Sequence, residues 1–132
     1  MVNLTWLDLS FNLIEKIEGI DQLTNITDLS LYSNRIKVLS GLENLSNLNV
    51  LSIGKNLITT YMDGGSIDYL RKLKNKLEVL KMSENPINRT GTTESDYKLY
   101  AVEALSKLKY IDYELITSHQ REAAKTKYSD DL

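Results

Sequence analysis

Asn12, Asn34 and Asn56 recur at a spacing of 22 residues, and Asn85 follows after a gap of 29. Each closes on the same phrase, Leu-x-x-Leu-x-Leu-x-x-Asn-x-Ile. It reads LTWLDLSFNLI from Leu4, ITDLSLYSNRI from Ile26, LNVLSIGKNLI from Leu48 and LEVLKMSENPI from Leu77. A fixed period of this length marks a solenoid, in which each repeat is one supersecondary unit that buries its apolar face only against its neighbours. This one feature sets the architecture and removes most enzyme folds from consideration.

Within the phrase, the alternation Leu7-Asp8-Leu9 predicts a short strand with two side chains inward and one outward. Leu29-Ser30-Leu31, Leu51-Ser52-Ile53 and Leu80-Lys81-Met82 repeat it. Strands this short hold only when stacked, at about 4.8 Å, into a parallel sheet along one wall. Ile14, Ile17, Ile20 and Leu23 in the first repeat, and Ile36, Leu39, Leu42 and Leu45 in the second, supply further inward positions. The asparagines have a structural task. Where the chain leaves the strand its backbone groups lose their ladder partners, and an inward amide offers both donors and an acceptor. A second set, Asn25, Asn47 and Asn75, closes each repeat just before the next strand and is expected in turns, where asparagine tolerates left-handed backbone.

The pattern breaks twice. The third repeat runs from Leu48 to Lys76, seven residues longer than the others. The excess lies around Tyr61-Met62-Asp63-Gly64-Gly65-Ser66, where Ser66 is the expected N-cap of a helix carrying Ile67, Leu70 and Leu73. After Pro86-Ile87, Thr92-Thr93-Glu94-Ser95-Asp96 reads as a helix start. Tyr97, Tyr100, Ala101, Ala104, Leu105 and Leu108 then define one face of an amphipathic helix. Tyr110-Ile111-Asp112 resembles a last, degenerate strand, and Thr117 with Gln120 forms a capping box for a final helix, Ser118 to about Tyr128. These segments cover the C-terminal end of the core. The first repeat has no such cover, so its end is expected to promote self-association, or to continue into repeats upstream.

The 132 residues make one domain, 1–132, with repeats of about 4–25, 26–47, 48–76 and 77–91 and a cap at 92–132. A net charge of −2 and no basic stripe argue against nucleic acid. No run of 18 apolar residues argues for a membrane span, and Met1-Val2-Asn3 does not open a secretory signal. No cofactor or metal is expected. There is no cysteine, the single histidine, His119, falls in a polar helix, and Gly64-Gly65 lacks the Lys-Ser/Thr of a phosphate loop. The chain is therefore not expected to be an enzyme.

A solenoid works through its extended concave face. The outward strand positions assign that face to Trp6, Asp8 and Ser10, to Asp28, Ser30 and Tyr32, to Val50, Ser52 and Gly54, and to Val79, Lys81 and Ser83. Phe11, Ser33, Lys55 and Glu84 stand on the rim. The outward Trp6 and Tyr32 on neighbouring strands are the kind of anchor found in protein interfaces.

The repeats resemble the 22-residue leucine-rich-repeat class typified by the nuclear regulator of protein phosphatase 1. The C-terminal segment resembles that class's cap at Asn85-Pro86-Ile87, Tyr97, Leu108 to Asp112 and Arg121-Glu122-Ala123-Ala124. The stretches 4–36, 69–75 and 110–128 are similar to the family of dynein regulatory complex subunit 3, which belongs to the nexin link of ciliary and flagellar axonemes. The resemblance implies an α/β leucine-rich-repeat solenoid with strands on the concave face, turns, 3-10 segments and short helices on the convex face, and a helical cap. It further implies a non-enzymatic cytoplasmic scaffold of the axonemal cytoskeleton that binds other complex subunits. The other reading is a soluble regulatory adaptor, such as a phosphatase-targeting protein, using the same face. The absence of cysteine fits the cytosol, since extracellular members cap their ends with disulfides.

Overall fold

The computed structural model describes residues 3–73, 76–89 and 94–129. Among these, six short strands form one sheet in sequence order: β1 (Trp6–Asp8), β2 (Asp28–Ser30), β3 (Val50–Ser52), β4 (Val79–Lys81), β5 (Tyr110–Ile111) and β6 (Glu114–Leu115). Strands β1 to β5 are parallel, and β6 turns back antiparallel on β5. Three α-helices, α1 (Ser66–Lys72), α2 (Glu94–Ala104) and α3 (Ser118–Tyr128), and a 3-10 turn, Pro86–Arg89, complete the described elements. The architecture is the α/β solenoid that the period predicts.

The register carries the repeat. Leu7 pairs with Leu29, Leu29 with Leu51, Leu51 with Leu80, and Leu80 with Ile111. Their side chains form one inward row, closed from solvent from Leu29 onward and half-buried at Leu7. The strands begin one residue earlier than the alternation predicts, but the ladder runs on. The amides of Leu9, Leu31 and Ile53 donate to Ser30 O, Ser52 O and Lys81 O at 2.7–2.8 Å.

The asparagines then stitch each repeat to the one before it. Asn34 Nδ2 donates to Leu31 O of its own repeat and Leu9 O of the previous one, both at 3.0 Å, and its Oδ1 accepts from Ile14 N at 3.0 Å. Asn56 and Asn85 repeat the pattern with Leu31 O, Ile53 O and Ile36 N, and with Ile53 O, Met82 O and Ile58 N. Asn12 reaches only Leu9 O and Ser10 O and stays exposed.

Left-handed backbone falls on Phe11, Ser33, Lys55 and Glu84, each just before a ladder asparagine. Asn25 and Asn47 lie in turns, as expected, without left-handed backbone, and Asn75 lies outside the described residues. The left-handed positions have a direct cause. The chain must reverse sharply at the strand exit to swing the asparagine inward, and a conformation costing roughly 1–3 kcal/mol persists where the surrounding bonds over-determine it. Stacking of the return segments imposes a different demand at Gly41 (φ +74°), where a Cβ would lie 2.4 Å from Ile17 O.

The insertion forms α1, but Ser66 is not its cap. Gly65 holds the N-cap position with no side-chain bond, and Ser66 is the first helical residue, buried with its Oγ unpartnered. The chain crosses itself here. A Cβ on Gly65 would come within 2.5 Å of the Thr60 carbonyl, and the amides of Ser66 and Ile67 donate instead to Thr60 O and Tyr61 O at 3.0 Å. Tyr69 ties α1 to the second repeat. Its hydroxyl donates to Glu43 Oε1 at 2.5 Å and accepts from Leu42 N at 3.0 Å. The Tyr69 phenol is pushed well above its usual range by burial and by the Glu43 carboxylate.

The cap is built on tyrosine. In α2, Tyr97, Tyr100 and Ala101 are buried as the periodicity predicts; Leu105 and Leu108 are buried just beyond the helix, and Thr92 and Thr93 lie outside the described residues. Val102 is buried too, off the predicted face, because α3 packs on α2. The rings of Tyr61, Tyr100 and Tyr128 meet edge-to-face, at 5.5 and 5.2 Å between successive centroids. Tyr100 Oη donates to Asp68 of α1, and Tyr97 Oη to Asp112. Thr117 and Gln120 form the expected capping box on α3.

Asp112 is not part of a last strand. It and Tyr113 both have positive φ, the signature of a two-residue type I′ hairpin between β5 and β6. Its buried Oδ1 accepts from Met82 N at 2.7 Å and Ser83 N at 3.1 Å. In earlier repeats the amide matching Met82 bonds a carbonyl of the next strand. The next strand, β5, stops one residue short, and the carboxylate stands in for the carbonyl of its missing third residue.

Candidate protein-interaction face

The outward side of β1 to β4 presents two parallel rows. Trp6, Asp28, Val50 and Val79 are mutual register neighbours, as are Asp8, Ser30, Ser52 and Lys81. The strand pleat turns both rows away from the core. Trp6 is 62% exposed and Asp8 is exposed; Asp28, Ser30, Tyr32, Val50, Ser52, Val79 and Lys81 are half-buried. Lys55 sits exposed on the rim, beside the strand exits.

The structure brings most of these residues into one shallow depression of about 340 Å³, lined by Trp6, Asp28, Ser30, Tyr32, Ser52 and Lys81 among others. Asp8, Lys55 and Val79 do not line it. The floor is hydroxylic, with Ser10 Oγ and Ser30 Oγ at 3.0 Å. Ser10 also serves Asp8, donating its amide at 2.9 Å and its hydroxyl to Oδ1. The hydroxyl bond first, then the amide bond, hold the Asp8 carboxyl below its usual range.

Tyr32 is not the free anchor that its outward position predicts. Its ring lies across Gly54, where a Cβ would come within 3.2 Å of it, and its hydroxyl donates to Glu84 Oε1 at 3.0 Å. Gly54 is therefore a passage for Tyr32 and is buried. Phe11 meets the same ring edge-on at 5.6 Å. Tyr32 straps the second repeat to the fourth, leaving Trp6 as the unengaged aromatic of the face.

One lining residue escaped the strand periodicity. Tyr113, 73% exposed on the β5–β6 hairpin, holds the Lys81 ammonium 4.7 Å from its ring centroid. The only sequence signal was its place after the degenerate strand. A larger hollow, about 750 Å³, lies on the return side near Val38, Leu57, Asp63 and Pro86, but its aromatic, Tyr69, is already tied to Glu43 and Leu42.

Among the described residues no cluster of His, Cys, Asp or Glu could hold a metal ion, and no helix is long and apolar enough to cross a membrane. The comparisons with known proteins agree on the fold. The leucine-rich repeat family profile matches residues 3–131. The chain belongs to the leucine-rich repeat family. Comparison with curated protein sequences gave no match. Among solved structures, this leucine-rich repeat chain is similar to one in the Drosophila melanogaster SNF/U2A' complex, at 24% identity and a TM-score of 0.72 over 93% of this chain and 80% of the other. It also resembles an internalin from Listeria monocytogenes, at 29% identity and a TM-score of 0.58, covering 81% of this chain but 27% of the internalin. A chain of the Chaetomium Mex67:Mtr2 structure matches at 19% identity and a TM-score of 0.58 over 83% of this chain and 69% of the other.

Proposed function

We propose that this leucine-rich repeat chain is a non-enzymatic scaffold that holds a protein partner on its sheet face, as a subunit of the axonemal dynein regulatory complex. The observation that carries the interaction is Trp6, 62% exposed at the edge of the depression and engaged by no aromatic neighbour among the described residues. Large aromatics in such positions supply the dominant contacts of protein interfaces. The axonemal assignment is supported by the similarity of 4–36 and 110–128 to that family.

Capture from lysate of flagellated cells, scored by quantitative mass spectrometry, tests both levels. Trp6→Ala is expected to lower partner recovery at least tenfold, a loss of about 1.4 kcal/mol or more. Tyr32→Phe, which keeps the ring and loses only the Glu84 bond, is expected to leave recovery within about twofold. Axonemal linker or dynein subunits in the wild-type capture support the scaffold. A soluble phosphatase in their place supports the regulatory adaptor, and equal recovery with Trp6→Ala removes the sheet face from either reading.

The same reading extends to self-association through the first repeat, where Trp6, Phe11 and Leu13 are all more than 60% exposed. Light scattering is expected to show a mass that rises with concentration. A constant monomer mass at high concentration counts against it.

A further inference from the structure

We infer that the β1–β2 end of the sheet face is an arginine-recognition site, which receives a guanidinium of the partner between the Trp6 indole and the Asp28 carboxylate. The inference rests on the interaction reading above and names the chemistry of what the face binds.

The parallel register places Trp6 and Asp28 side by side on adjacent strands, about 4.8 Å apart along the sheet, with Asp8 two residues beyond Trp6 on the same side. Among the described residues neither carboxylate has an ion-pair partner. Each has one oxygen engaged by a neighbouring side chain. Asp8 Oδ1 takes Ser10, and Asp28 Oδ1 takes Thr27 Oγ1 at 2.8 Å. The remaining oxygens point the site's demand toward a donor with positive charge. An exposed indole beside them supplies the second half of that recognition, since its face attracts a cation and matches a planar guanidinium by stacking.

The opposite end of the register row has the opposite sign, with Glu84 on the rim taken up by the Tyr32 hydroxyl. Lys81 lies three strands from Asp8 in the same register row, and Lys55 stands on the rim. The charge gradient therefore directs a cationic side chain to β1 and β2 and away from β4. A bidentate arginine fits better than lysine, because a fork of donors serves Asp28 while the plane covers Trp6. The hydroxyl floor at Ser10 and Ser30 keeps this corner polar, so an aliphatic side chain gains little there.

Trp6 is the chain's single tryptophan, so its indole N–H resonance reports on this site alone. The probes are N-acetyl-arginine amide and its neutral isostere N-acetyl-citrulline amide, titrated into the full chain. The arginine amide is expected to shift the Trp6 resonance saturably. Citrulline should need roughly fivefold more ligand, the factor an exposed cation–π contact supplies. Asp28→Asn, an isosteric change at a half-buried position, should narrow the difference between the two probes to what the Trp6 ring alone supplies, while circular dichroism stays unchanged. Equal responses to both probes, or an undiminished preference in Asp28→Asn, overturn the inference. The partner capture separates the two levels. If Trp6→Ala loses the partner while Asp28→Asn keeps it, the face is the interface and the arginine site is wrong. If neither loses it, the interaction reading itself fails.

Discussion

Asn56→Ala is expected to lower the unfolding free energy by about 2–4 kcal/mol, against less than about 1 kcal/mol for Asn12→Ala. Asn56 is 4% exposed and satisfies four backbone groups: the carbonyls of Leu31, Ile53 and Gly54, and the amide of Ile36. Alanine leaves the buried Ile36 amide without a partner and takes one of two donors from each carbonyl, since Leu31 O keeps Asn34, Ile53 O keeps Asn85 and Gly54 O keeps the Ser33 amide. One orphaned buried amide costs about 1–3 kcal/mol, and the weakened bonding of the three carbonyls adds about 1 kcal/mol. Asn12 has the same sequence role but its bonds face solvent, so water takes over. Equilibrium urea unfolding of both variants checks the contrast. Similar midpoints for the two would mean that the asparagine amides do not hold the stack together. Domains of this size have about 5–15 kcal/mol in total, so the Asn56 loss is a large share.

The second large effect is at the other end of the stack. Asp112→Ala is expected to cost about 3–5 kcal/mol, and Asp112→Asn about 1–2 kcal/mol. The carboxylate accepts from Met82 N, Ser83 N and Tyr97 Oη, and alanine removes this shared acceptor from a site where Met82 and Tyr97 are buried. Asparagine keeps an oxygen for the two amides and an amine that Tyr97 can accept from, losing mainly the charge assistance. Hydrogen exchange at Met82 and Ser83 gives the direct readout. Both amides should exchange faster in Asp112→Ala than in Asp112→Asn, while Leu29 at the far end of the core stays protected. Unchanged protection at Met82 would show that another group terminates the ladder.

The repeats were legible because each position has one job repeated with one residue type. Leu29, Leu51 and Leu80 share a row, and Asn34, Asn56 and Asn85 share a bonding scheme, so the period states the geometry several times over. What the sequence left open is carried by residues with no counterpart in other repeats. Asp112 acts through a side chain substituting for backbone, and nothing in its local alternation distinguishes it from a last strand residue. Gly65 matters because a Cβ there would lie 2.5 Å from the Thr60 carbonyl, a crowding set by how the insertion folds back and not by local pattern. Ser66 was misread because a serine before an apolar helical pattern usually caps, whereas here backbone carbonyls from the insertion reach the helix start first. On the candidate face, the strand period placed the outward residues on one side. It could not show that Tyr32 bridges to Glu84 or that Tyr113 folds over Lys81, since both contacts join different repeats.

The β5–β6 hairpin has a consequence for how copies of this sheet can meet. A parallel stack has two lateral edges, and each is a template for another chain. Here one edge ends in β6, two residues long, reversed in direction, bearing Glu114 and leading at once through Thr117 into α3. On this side no ladder is left on which the backbone of another sheet can pair. Growth of one sheet onto the next is therefore blocked at β6, and the route from a repeating sequence to an open-ended fibre is shut by a single turn.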